Sequence, residues 1–183
     1  MIRSAYQLFR QRGYSGTGLR EINAHSGVAR GAIYHHFPGG KAELAEEVIR
    51  LAANEVGDAL EEFARKTDPI SAVNAFVDGW AQHVREYDFS AGCAIAAVVA
   101  ESRHDDAKLA QAAAAAFGRW QAILAASLAS AGVSPARARR LAVLAVSAVE
   151  GAVTLSRAER STRPLEDVGQ ELRSAFNDAV NNR

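Results

Sequence analysis

Residues 17–44 read TGLREINAHSGVARGAIYHHFPGGKAEL, and this stretch decides the fold. An amphipathic segment over residues 17–25 meets a glycine turn at Gly27. A second short segment follows, from Val28 or Ala29 to about His36. Two short helices joined by such a turn make a helix-turn-helix, whose second helix lies in the DNA major groove. Ile22, Val28 and Ile33 must bury together to fix the angle between the helices, and Gly27 supplies the backbone freedom of the turn. Thr17 is the expected N-cap of the first helix, with Glu21 near its positive end.

Upstream, Ile2, Ala5, Leu8 and Phe9 recur at helical spacing, which predicts a helix over residues 1–12 ended by Gly13. Downstream, Phe37-Pro38-Gly39-Gly40 breaks the chain before a long helix from about 41 to 66, itself ended by Thr67-Asp68-Pro69. Asp68 is placed to cap the next helix, with Pro69 at its first position; Ser134 and Pro135 repeat that pairing. Helices are predicted over 69–86, 91–102, 105–131, 135–160 and 164–181. Alanine runs recur, prolines number four, and no alternating Val/Ile/Thr segment is long enough to argue a sheet. The expected fold is all-α, with about nine helices. A helix-turn-helix head over 1–40 precedes a helical body over 41–183.

Net charge is zero, which alone would argue against nucleic acid, but the charges are segregated. Residues 1–41 carry six basic side chains (Arg3, Arg10, Arg12, Arg20, Arg30, Lys41) against Glu21. The remainder carries 15 basic and 20 acidic. A basic head on an acidic body is the footprint of a protein whose head alone touches phosphate. A single cysteine, Cys93, excludes an intrachain disulfide and suits a reducing cytoplasm. The first twelve residues are amphipathic rather than apolar, so no signal peptide is expected. The longest apolar stretch, 141–155, is short for a bilayer and contains Glu150, so no membrane partner is expected.

At Thr17, Leu19-Arg20-Glu21-Ile22, Ser26-Gly27-Val28, Gly31-Ala32-Ile33-Tyr34, His36-Phe37, Lys41 and Leu44 the chain resembles the TetR family of bacterial one-component regulators. The segments Phe37-Pro38-Gly39-Gly40-Lys41, Ala91-Gly92-Cys93-Ala94-Ile95 and Pro164-Leu165-Glu166 resemble its LmrA/YxaF-like branch. The resemblance implies a homodimeric repressor that binds a palindromic double-stranded operator and is released by a small hydrophobic or aromatic effector. The family also has several more residues, often basic, ahead of the position of Met1, so an upstream arm or weaker binding is expected here.

Arg30, at the start of the recognition helix, can grip guanine O6 and N7 with two hydrogen bonds. Gly31 and Ala32 are small enough for close approach to the groove, or simply pack. Tyr34 and His35 face outward if Ile33 and Phe37 face the core. The resemblance implies phosphate contacts for Tyr34 and His36. Lys41 at the fourth helix N-terminus, and Thr17 and Arg20, complete the expected phosphate clamp. Adjacent His35 and His36 point about 100° apart on a helix and have no third ligand nearby, so neither metal nor cofactor is expected.

For the body, the resemblance implies an effector cavity, with Phe76, Trp80, His83, Tyr87, Cys93, Phe117, Trp120 and Gln121 as candidate lining; plain core is the competing reading of the aromatic residues. It also implies a dimer interface from the last two helices. Leu144, Ser147, Ala148, Gly151, Leu155, Leu172 and Phe176 are the candidates. Glu150 on that helix needs a partner, which could be an arginine across the dimer, a ligand, or water at a wet edge. No catalytic residue is assigned. Cys93 lacks a placed histidine, and no phosphate loop or metal-spaced carboxylate pair occurs, so an enzyme is not expected. The alternative to a regulator is a ligand- or protein-binding helical module whose head no longer reads DNA.

Overall fold

The computed structural model describes residues 1–28, 32–102 and 106–181 of the chain. Among these the structure is helical, without strands: α1 (Ile2–Arg12), α2 (Leu19–Ser26), α3 (Ala32–His36), α4 (Gly40–Lys66), α5 (Pro69–Glu86), α6 (Ala94–Glu101), α7 (Ala107–Ser130), α8 (Pro135–Glu159) and α9 (Arg163–Asn181). The helices form two compact units, Met1–Asn54 with Ala91–Ala116, and Glu55–Ser90 with Phe117–Arg183.

In the first unit α1 packs on α2 and α6. Ala5, Leu8 and Phe9 of α1, Ile22, Ile33, Phe37, and Leu44, Val48 and Ile49 of α4 are all buried. The helical period read from the sequence thus points each helix inward on its apolar stripe. Gly27 adopts φ 67°, the left-handed C-cap that lets α2 stop and the chain turn toward α3. In the second unit α5, α8 and α9 pack against one another. Gly169 lets α9 approach α5 closely, since a Cβ there would lie 3.0 Å from Val77 Cγ1.

One capping expectation differs from the structure, and another is met in position without its side-chain hydrogen bond. Thr17 is not the α2 N-cap. That position is Gly18, and the Thr17 hydroxyl instead donates to the Gly13 carbonyl oxygen at 2.8 Å. Ser134 holds the N-cap of α8 but makes no side-chain cap hydrogen bond. Asp68 behaves as expected: its Oδ1 accepts from the Ile70 and Ser71 amides at 2.9 Å, and its Oδ2 accepts from the Ser71 hydroxyl at 2.7 Å. The Ser71 hydroxyl, then the Ser71 amide, hold the Asp68 carboxyl below its ordinary range. A depressed carboxylate pKa stabilises fully above the unfolded value of about 4 and is lost as pH falls through the folded one. Asp68→Ala should therefore cost about 1 kcal/mol at pH 7. The deficit should shrink in urea melts below about pH 3.5; an equal deficit at both pH values would contradict an ionised cap.

Candidate nucleic-acid interface

The five described residues of α3 divide cleanly by side. Ile33 is fully buried and Phe37, just past the helix, is 8% exposed, while Tyr34 is 64% exposed. His35 and His36 are also exposed, with their rings 5.4 Å apart and nearly perpendicular. Ala32 is half-buried, and Arg20 stands exposed in the first turn of α2. The outward face of α3 thus carries one large aromatic and two imidazoles, held by an apolar opposite side. Arg30 and Gly31 lie outside the described residues.

Lys41, in the first turn of α4, sets its ammonium 4.3 Å from the centre of the Tyr14 ring, a cation–π contact that holds the side chain at the edge of this unit. Burial lowers the Lys41 pKa and the nearby Glu101 opposes that shift. Tyr14 packs edge-on against Phe9 at 5.4 Å, and its phenol is raised first by burial and then by Asp106. Thr17, expected at the phosphate backbone, is fully buried with its hydroxyl committed to Gly13. Its side chain orders the turn before α2 and leaves the surface to Arg20. Sequence reading missed Tyr14 and Glu101, because both act through contacts with residues remote in the chain. No cluster of three metal-ligating side chains occurs among the described residues.

In the second unit the aromatic candidates come together. Trp120, fully buried on α7, meets Phe117 at 5.5 Å, Phe76 at 6.1 Å and Trp80 at 6.3 Å. Trp80 meets His83 at 5.4 Å, and His83 meets Tyr87 at 5.1 Å. The i, i+3, i+7 spacing on α5 therefore makes one continuous run of rings. Gln121 is half-buried beside Trp120 in the chain. Cys93 belongs to the first unit, at the N-cap of α6.

The dimerisation candidates separate into two groups. Leu144 is 50% and Leu155 54% exposed, and Ser147 and Gly151 are exposed between them, with Ala148 half-buried. Val143, at 42%, extends this stripe although sequence reading did not name it. Leu172 and Phe176 must be removed from the group, since they are 2% and 0% exposed. With Leu165 and Gly169 they form the stripe of α9 that packs inside its own chain. Their spacing fits either role, and the glycine admitting Val77 was the available clue. α8 is long and apolar enough to cross a membrane by length and composition. Its other side, including Leu141, Ala145, Val149 and Val153, is buried within the chain.

Comparison with known proteins agrees with this architecture. Residues 1–48 match the bacterial regulatory proteins of the tetR family, and residues 69–171 match the C-terminal domain of LmrA/YxaF-like transcriptional regulators. The chain is 37% identical over 179 residues to the HTH-type transcriptional regulator Rv0196 of Mycobacterium tuberculosis, covering 95% of this chain and 91% of that one. The fold is similar to the regulatory protein TetR from Rhodobacter sphaeroides, with a TM-score of 0.84 at 22% identity over 95% of each chain. It is also similar to a cysteine mutant of the regulator CifR solved with 26 bp operator DNA, with a TM-score of 0.75 at 16% identity over 96% of this chain and 93% of that one. These relatives are regulators, not enzymes. With helix-turn-helix and body both matched, the chain belongs to the TetR family of DNA-binding transcriptional regulators, in its LmrA/YxaF-like branch.

Proposed function

We propose that the protein is a cytoplasmic homodimeric repressor that holds a palindromic operator when empty and leaves it when a small hydrophobic or aromatic effector binds. The observation that carries the DNA-reading part is the outward face of α3, with Tyr34 64% exposed above buried Ile33. The clamp comprises Arg20, Tyr34, His35, His36 and Lys41, with Ala32 allowing close approach. Arg30 and Gly31, which the sequence assigns to the base-reading end, complete it. The functional division falls between residues 1–40, which read DNA, and 41–183, which sense and dimerise, with Lys41 at the boundary completing the clamp. The operator-bound structure of the similar CifR supports this use of the fold.

For the effector, the run of rings from Phe117 through Trp120 and Trp80 to Tyr87 supports an aromatic or apolar ligand. The buried Trp80 indole N–H has no hydrogen-bond partner among the described residues and suits an acceptor atom on such a ligand. The ligand acts only through its differential affinity for the two spacings of the paired heads. For the dimer, the exposed apolar stripe of α8 supports a two-fold contact, which presents two recognition helices to two half-sites.

The test is fluorescence anisotropy of the purified protein against duplexes flanking its own gene, at two salt concentrations. Sequence-selective binding that weakens as salt rises is expected. Lys41→Ala should weaken all duplexes about evenly and reduce the salt slope by about one. Tyr34→Ala should weaken the operator without changing effector binding. Wild-type affinity in both variants would remove α3 and the start of α4 from the interface.

A further inference from the structure

We infer that Glu101, the last residue of α6, is a positioning residue for operator binding: it holds the turn between α1 and α2 and so sets the entry of α2 and the place of Lys41. The main-chain amide of Ser15 donates to Glu101 Oε2 at 2.7 Å, and the Ser15 hydroxyl donates to the Glu101 carbonyl oxygen at 3.4 Å, across 86 residues of sequence. Gly13 makes this approach possible. An ideal Cβ there would stand 2.4 Å from Glu101 Oε1, and its φ of 79° is one that only glycine adopts without strain. The turn is thus folded around a carboxylate from a distant helix.

The position is otherwise unfavourable. A carboxylate at the last residue of a helix faces the negative end of the helix dipole. Local helix stability therefore does not explain Glu101, whereas the charge-assisted hydrogen bond from Ser15 does. The chain entering α6 is tied to α1 as well, because the Gly92 amide donates to the Arg10 carbonyl oxygen at 2.9 Å. Between these ties α6 lies against α1.

What the turn carries explains why its geometry matters. Thr17 closes it by donating to Gly13, two residues before α2 begins with Leu19 and the exposed Arg20. Tyr14, inside it, lies under the Lys41 ammonium. A loosened turn misplaces Arg20 and Lys41 together, two of the groups assigned above to phosphate. Electrostatic repulsion between Glu101 and DNA would act the other way, so the two effects are separable by substitution.

The inference rests on the DNA-binding reading, and the test keeps the two apart. Amide exchange at Ser15 is measured on the DNA-free wild type, Glu101→Ala, Glu101→Asp and Glu101→Gln. Affinity is then measured for the duplex that the wild type selects from a random library, and for a scrambled one. Gln keeps an acceptor at the same reach, whereas Asp keeps the charge on an arm one methylene shorter. The expected result is fast Ser15 exchange in Ala and Asp and near-wild-type protection in Gln. Selected-duplex affinity should be about tenfold lower in Ala and Asp, the loss of one hydrogen bond to a charged group, and within about threefold in Gln. Scrambled-duplex affinity should fall less. Rescue by Asp in place of Gln, or wild-type exchange and affinity in Glu101→Ala, would overturn the role. Because Gln is isosteric with Glu and Asp is smaller by only one methylene, a folding failure of Ala alone leaves the decision to them.

Discussion

In the proposed homodimer, Leu144→Glu with Leu155→Glu should give a monomer and lower operator affinity at least about 100-fold, the order of avidity lost when two half-sites can no longer be engaged together. Leu144 and Leu155 are 50% and 54% exposed in the protomer, so neither charge disturbs its own fold. In a two-fold contact each glutamate would meet its symmetry mate or lose its water, and both cost free energy. Four such carboxylates sit across one small apolar stripe. Sedimentation at micromolar concentration should show the mass halved, with helical circular dichroism unchanged. A variant that remains dimeric would move the interface away from α8. A monomer with full operator affinity would remove the need for a dimer.

Trp120→Ala should destabilise the second unit by roughly 3–5 kcal/mol. Trp120 is fully buried and its ring is bordered by those of Phe76, Trp80 and Phe117. Deleting the indole removes the transfer free energy, leaves a cavity and breaks three edge-to-face pairs, each worth about 0.5–1.5 kcal/mol beyond area burial. For a chain of this size the melting temperature should fall by roughly 10 °C. Trp120→Phe should recover most of the loss because it restores an aromatic wall. Urea unfolding followed through the remaining tryptophan, Trp80, measures both. A loss below about 1 kcal/mol would mean that the neighbouring rings collapse into the space, and that this cluster yields readily to an aromatic ligand.

The candidate site was legible to different depths for physical reasons. Asp68-Pro69 announced α5 because an N-cap and its first turn involve residues two and three positions apart. The same local logic failed at Thr17, where the hydroxyl found the Gly13 carbonyl behind it rather than an amide ahead. Sequence period placed Ile33 and Phe37 inside and Tyr34 outside, since a helix has one repeat and the motif supplied the phase. The resemblance placed Leu172 and Phe176 at a dimer interface, where the structure puts them in the core. An apolar stripe on α9 states that something must cover it, without stating which chain does so.

The sequence by itself determined the helices, most of their ends, the helix-turn-helix and its outward face, and the family. The helices, their ends and the outward face follow from caps, turns and a 3.6-residue period acting over a few positions, whereas the family follows from the residues of the motif itself. Only the tertiary structure decided which stripe of the largely apolar α8 is spent inside the chain and which stays exposed. Only it joined Phe76 and Trp80 of α5 to Trp120 of α7, and the Glu101 carboxylate to Ser15 across 86 residues. Such contacts depend on how whole helices pack, and helix packing depends on the summed fit of many side chains rather than on any local pattern.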